Sequence, residues 1–279
     1  MAGMTMKWQA MSIYWATGSY PLQKQCIRIT CRQFIVVFLM GALFFSTSLS
    51  NAGENILPFS IGEEIQYSVS WEMIRAGKAK FKVLPFTTLN GKKAYHFLLE
   101  VKSNNYIDML YKIRDKLEGF TDIEFTQSLL YKKTQSGKDK REVMVQFDWE
   151  KKTARYSNFG GKRDPIQIPL KTFDPVSAFY KMRVIDFKTD QNLFFPVTDG
   201  KKYFMQEGKV LGRAKITLPS GTFDTYLLVP RVNHLSGVFK KSKNPTVKLW
   251  VTADDRKIPV RIKVKVFIGS IIFDLVSIK

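Results

Sequence analysis

The chain has 279 residues, 44 Lys+Arg against 24 Asp+Glu for a formal net charge of +20, and only two cysteines and two histidines. Both cysteines, Cys26 and Cys31, fall within the first 52 positions, so the remainder excludes a disulfide framework, a cysteine metal site and a thiol nucleophile. The length suits one β domain with a real core, and the excess of positive charge favours anionic partners.

The first 52 residues contain neither Asp nor Glu. Lys24, Arg28 and Arg32 precede an apolar run from Phe34 to Phe45, and Ser50-Asn51-Ala52 supplies the small residues of a cleavage site. That order predicts a cleaved secretory signal peptide over 1–52, and hence a periplasmic protein. The apolar run, roughly a dozen residues, is shorter than the ~20 a spanning helix needs; an uncleaved leader anchored in the inner membrane is the alternative. The stretch before Gln23 is long for such a leader, which points to a misassigned start codon. Neither cysteine follows the run directly, so a lipoprotein is not expected. Cleavage removes four basic and no acidic residues, leaving 40 Lys+Arg against 24 Asp+Glu and a net charge of +16. Phospholipid head groups, lipopolysaccharide and acidic glycans suit such a charge, while export disfavours nucleic acid.

From Gly53 onward apolar and polar residues alternate, the period of half-buried strands. Ala79, Phe81 and Val83 alternate with Lys78, Lys80 and Lys82. Tyr95, Phe97, Leu99 and Val101 share a face, as do Val143, Val145, Phe147 and Trp149. Near the end Val260, Ile262, Val264 and Val266 alternate with Arg261, Lys263 and Lys265. Turn residues separate these runs at Asn90-Gly91, Gly160-Gly161 and Ser220-Gly221. The pattern is antiparallel.

Two stretches break it. Tyr106–Lys112 reads as a short helix or loop. Over 172–184 a stronger helix is predicted: Asp174 can cap it, Pro175 fits its first position, and Val176, Phe179, Tyr180 and Val184 share one side. Such a helix would lie across a sheet opening, its apolar stripe serving as core. Gly77-Lys-Ala-Lys-Phe-Lys-Val-Leu-Pro85 echoes Gly212-Arg-Ala-Lys-Ile-Thr-Leu-Pro219. One domain over 53–279 is expected, and the echo suggests two related β-halves joined by the 172–184 helix. The expected fold is mainly β: a strongly curved antiparallel sheet or incompletely closed β-barrel with one or two short helices, a two-sheet sandwich being the alternative.

No catalytic constellation is legible. His96 and His234 are far apart, no Gly-x-Ser-x-Gly elbow is present, and phosphate-loop and dinucleotide fingerprints are absent. The adjacent acids Glu63-Glu64 would point to opposite faces of a strand, and Asp254-Asp255 reads as a hairpin turn. No enzyme, metal or cofactor is expected.

Several segments together resemble an uncharacterised exported bacterial family, the domain of unknown function 3108. They are Ile61-Gly-Glu-Glu-Ile-Gln-Tyr-Ser-Val-Ser-Trp71, Arg75-Ala-Gly-Lys-Ala79, Tyr111-Lys-Ile-Arg-Asp115, and most clearly Phe173-Asp-Pro-Val-Ser-Ala-Phe-Tyr-Lys-Met-Arg183. Pro219-Ser-Gly-Thr-Phe-Asp-Thr-Tyr226, Leu249-Trp-Val-Thr-Ala-Asp-Asp255, Ile258-Pro-Val260 and Gly269 follow in order. Lys181, on the exposed side of the helix, departs from the apolar or aromatic residue expected there. The resemblance implies an exported, single-domain, β-rich protein and no activity. Two functions fit. One is a periplasmic carrier of an amphiphilic, lipid-like ligand, with Lys78, Lys80, Lys82, Arg261, Lys263 and Lys265 meeting anionic head groups. The other is an envelope structural or assembly factor that binds protein or glycan through a sheet edge or basic face. Arg183 has a structural explanation first, as a cation near a helix C-terminus, and a ligand-binding role second.

Overall fold

The structure, a computed structural model, describes residues 57–137, 140–231, 246–265 and 269–279. The predicted leader, His234 and Val266 lie outside them. Fifteen strands and two short helices are described. β1 (Glu64–Trp71), β2 (Ile74–Leu89) and β3 (Lys92–Ser103) lead into α1 (Asn105–Tyr111). There follow β4 (Arg114–Asp122), β5 (Ser128–Ser136), β6 (Lys140–Asp148), β7 (Thr153–Asn158) and the two-residue β8 (Gly161–Lys162) and β9 (Ile166–Gln167). After α2 (Pro175–Arg183) come β10 (Asn192–Thr198), β11 (Tyr203–Leu218), β12 (Gly221–Arg231), β13 (Val247–Thr252), β14 (Pro259–Lys265) and β15 (Ser270–Ile278).

All lie in one antiparallel sheet, ordered β10-β11-β12-β13-β14-β15-β1-β2-β3-β4-β5-β6-β7-β8, with β9 also on β7. Its centre joins the first and last of the described strands. Glu64 N donates to Lys279 O at 3.1 Å, and Lys279 N returns the bond to Glu64 O at 3.0 Å. The open edges therefore come from mid-chain. β7 and β10 do not pair, so the sheet is an incompletely closed barrel, as the alternation predicts, and not two separate sheets. Of the two echoing stretches, 77–85 lies within β2, and 212–219 runs along β11 into the turn that follows.

The segment between the two edges spans the gap. Thr172 O accepts from Ser128 N at 3.1 Å, while Phe173 N donates to Pro196 O at 3.0 Å and Thr198 N to Phe173 O at 2.9 Å. Phe173 thus bridges β10 in parallel. Beyond β10, Gly200 has φ +82°, and a Cβ there would stand 2.6 Å from a Val145 methyl carbon. Only glycine lets this turn lie against β6 and β7.

α2 is held by the cap its sequence predicts. Asp174, fully buried, accepts from Val176 N at 2.8 Å, Ser177 N at 3.0 Å, and the hydroxyls of Ser128 and Ser177 at 2.6 Å each. Pro175 occupies the first turn. Burial pushes the Asp174 carboxyl above its ordinary value, and these four donors pull it back. Close approach needs Gly119 on β4: a Cβ there would meet Ser177 Oγ at 2.6 Å and Asp174 Oδ1 at 2.7 Å.

The helix delivers rings into the concave face of the sheet. Phe179 stacks on Phe81 at 3.9 Å and Tyr180 on Phe97 at 4.3 Å, with Phe59 edge-on to Phe97, Phe125 and Tyr180. Each such pair adds about 0.5–1.5 kcal/mol beyond the area it buries. A second, smaller cluster joins Met182 and Phe187 to Leu193, Val210, Leu228 and Val251. Lys181 departs from the sequence reading. It is half-buried, its Nζ lying 5.5 Å from the centroid of the Phe173 ring, because the helix is sunk too deeply for a freely solvated side.

Candidate functional site

The register gathers most of the predicted basic residues onto one surface. Strands β14, β15, β1 and β2 are neighbours, and Arg261, Asp274, Ser68 and Lys78 sit directly opposite one another across them. Because Ala79, Phe81 and Val83 are buried, Lys78, Lys80 and Lys82 face outward by strand alternation. Buried Val260 and Val264 do the same for Arg261, Lys263 and Lys265. Several of these charges are paired. Lys80 and Lys82 share Glu64 at 3.2 Å each, and Arg261 grips Asp274 at 2.5 and 2.8 Å. Lys78, Lys263 and Lys265 have no carboxylate partner among the described residues, and Lys263 faces Lys248 across β13 and β14.

Arg183 is not part of that surface. Its side chain is completely buried at the end of α2, with Nη1 donating to Glu63 Oε1 at 2.6 Å and Nη2 to Glu63 Oε2 at 2.9 Å. The same Nη2 reaches Pro58 O at 2.7 Å, and Nε donates to Arg256 O at 3.1 Å. These bonds tie the helix to the segment preceding β1 and to the β13–β14 turn, leaving the guanidinium closed in by the protein's own groups. Glu64, the next residue, points outward to Lys80 and Lys82. The two acids diverge, as strand geometry requires. Asp254 and Asp255 lie in the β13–β14 turn, where Asp254 pairs with Arg256 at 2.8 Å.

His96 also sits on the outer face. It stacks on Phe120 at 4.3 Å, and its Nε2 lies 3.0 Å from Glu118 Oε1, while Glu118 also meets Lys116. Burial pushes the imidazole below its ordinary pKa, with Lys116 and Lys132 adding to this and Glu118 opposing it.

One basic residue faces the other way. On β5, Tyr131 is buried and Lys132 and Thr134 point outward, so Lys133 projects onto the concave face. It stands directly between Leu117 on β4 and Val143 on β6. It is half-buried and has no ion pair among the described residues. Burial lowers its ammonium pKa below the ordinary 10.5; Arg141 and Lys201 push the same way, and Asp115 and Asp199 oppose them. Lys201 comes from the turn that Gly200 seats, its Nζ 4.8 Å from the Tyr156 ring centroid. Next to Lys133, Gln135 Nε2 donates to Asp115 Oδ2 at 2.7 Å. Half-buried Leu99, Val101 and Leu117 continue the same face. The result is a cluster of Lys133, Arg141 and Lys201 over an aliphatic floor, with Asp115 and Asp199 close by.

The profile of a family described as protein of unknown function (DUF3108) matches residues 66–276. The chain belongs to the DUF3108 family. No curated protein matches it in sequence. In three dimensions this DUF3108 protein is similar to a beta-barrel-like protein of domain of unknown function DUF1849 from Brucella abortus. The TM-score is 0.52 at 9% sequence identity, covering 78% of this chain and 97% of the other. At that identity the likeness concerns the fold, and both families lack an assigned activity. No described helix is long and apolar enough to cross a membrane.

Proposed function

We propose that this DUF3108 protein is a non-enzymatic binding protein of the cell envelope that holds an anionic amphiphile against the concave face of its sheet. Lys133 carries the reading. An ammonium half-withdrawn from water without a carboxylate partner is costly to keep, and a ligand anion would remove that cost. Arg141 and Lys201 reinforce the attraction, and Leu99, Val101 and Leu117 offer a lane for an acyl chain. The acid-free, basic leader with its short apolar run supports export to the periplasm. The test is native mass spectrometry of protein purified gently from its source cells, before and after organic extraction. A mass excess that extraction removes is expected, together with its loss in Lys133→Met. A bare mass, with no uptake of added lysophosphatidylglycerol, would sink the reading.

A second reading, an assembly factor working through a sheet edge, draws on β10. The β7 edge is covered by β8, β9 and the bond from Arg163 N to Tyr156 O at 2.9 Å. Among the described residues the β10 edge is bridged only near Val197, and Phe194 on the same strand is 61% exposed. That is a place where an extended segment of another protein could add.

A further inference from the structure

We propose that the end of the sheet carrying the β1–β2 turn and α1 is a membrane-docking surface that seats apolar side chains among the head groups of an anionic phospholipid bilayer. Helix α1 is oriented opposite to a packed amphipathic helix. Tyr106, Met109 and Leu110, spaced i, i+3 and i+4, form one stripe, and they are 76%, 81% and 73% exposed. No residue of α1 is buried. Its polar side is the one turned to the protein: Asp108 is held by Arg114 at 2.5 and 3.0 Å and by the Ser103 hydroxyl.

The neighbouring turn repeats the pattern. Met73 is 97% and Ile74 57% exposed, with Trp71 beside them. The two elements are fastened together, since Asn104, which caps α1, donates through its backbone N to Ala76 O at 2.9 Å and through Nδ2 to Arg75 O at 2.5 Å. Monomeric proteins rarely leave so many large apolar side chains together in water.

The occupant follows from what surrounds them. Arg75, Lys78, Lys102 and Lys112 are exposed around the two elements, with Lys78 and Lys102 directly opposite on β2 and β3. Lys265 joins them, because its cross-strand partner Ser270 accepts from Glu72 N at 2.8 Å. Of the acids there, Asp108 is neutralised by Arg114, and the exposed Glu72 is outnumbered by these five cations. A basic collar around Trp, Tyr, Met and Leu carried on a turn and a short helix matches an anionic bilayer surface: the cations meet the head groups and the apolar side chains reach the acyl boundary. The surface goes beyond the ligand proposed for Lys133 and does not depend on it.

The test uses the full chain with vesicles of phosphatidylglycerol or phosphatidylcholine whose acyl chains are brominated near the glycerol end. Trp71 emission is isolated as the component missing from Trp71→Phe. Quenching of that component by phosphatidylglycerol vesicles is expected, with its loss in the Met73→Glu/Met109→Glu double variant at an unchanged melting temperature. Lys78→Glu/Lys102→Glu should make the quenching disappear at lower salt than in the wild type. Lys133→Met should leave it intact, so a failed ligand reading does not carry this one down. An unquenched Trp71, or quenching that survives both glutamates, overturns the proposal and returns the patch to protein partners or to charge adsorption alone.

Discussion

Arg183 and Lys133 are both basic side chains drawn out of water, and they differ in whether the protein answers the charge. Arg183 is met by a bidentate carboxylate and two carbonyls, so its removal strands Glu63 near the core. Arg183→Met should destabilise the fold by about 3–5 kcal/mol, the usual cost of breaking one half of a buried pair. Adding Glu63→Gln should restore part of that loss, which urea unfolding of the three variants would measure. Lys133 has no such answer. Its pKa is lower folded than unfolded, so its ammonium opposes folding at neutral pH, and stability should rise as pH climbs from the lowered value towards the ordinary 10.5. Lys133→Met should therefore be more stable than the wild type at pH 7, with the difference shrinking in alkaline buffer. A constant difference across pH would place the effect in packing instead of charge. Neither role could be read from the residues themselves. Arg183 looked like a helix-end cation because its partner lies 120 positions away, and Lys132-Lys133 in a polar run gave no sign which of the two turns inward.

At the scale of elements, the helix over 172–184 was the most legible part of the chain. Asp-Pro at its start carries a local mechanism, and that mechanism operates unchanged in the structure. What could not be foreseen was the counterpart on β4. Gly119 sits in an ordinary strand sequence, and its need appears only when the Asp174 carboxylate arrives against it. Gly119→Ala should loosen the helix N-terminus, costing about 1–3 kcal/mol as an overpacked contact. Calorimetry would show it, and the aromatic near-UV dichroism of Phe97 and Tyr180 should weaken with it. The edge strand β10 escaped notice for a related reason. Phe194-Phe195-Pro196 does not alternate, so its period gives no strand signal, and β10 is defined by pairing with β11. α1 was recognisable as a helix or loop, but the outward direction of its stripe depends on Asp108 meeting Arg114 from the next strand.

For the whole molecule, alternation was enough to predict antiparallel strands with one apolar face to cover, and left a curled sheet and a two-sheet sandwich as the two ways of covering it. Strand order was another matter. Period-two patterning is blind to which neighbour a strand takes, and nothing local announces that β15 docks on β1. That pairing puts the first and last described strands side by side while the seam lies between β9 and β10. A circularly permuted chain, joined by a linker from Lys279 to Leu57 and opened within 185–191, would keep Phe59 and Glu63 and make sequence neighbours of all the paired strands except β7 and β9. It should keep the native fold and refold faster in stopped-flow experiments, since its contacts become local.

The natural order of the chain has a consequence for biogenesis. Strand β1 cannot complete its hydrogen-bonded neighbourhood until β15, the last of the described strands, has left the ribosome. Until then, β1 and its apolar residues Ile65, Tyr67 and Val69 keep one flank unsatisfied. A chain built this way holds that flank open until β15 is available to close it.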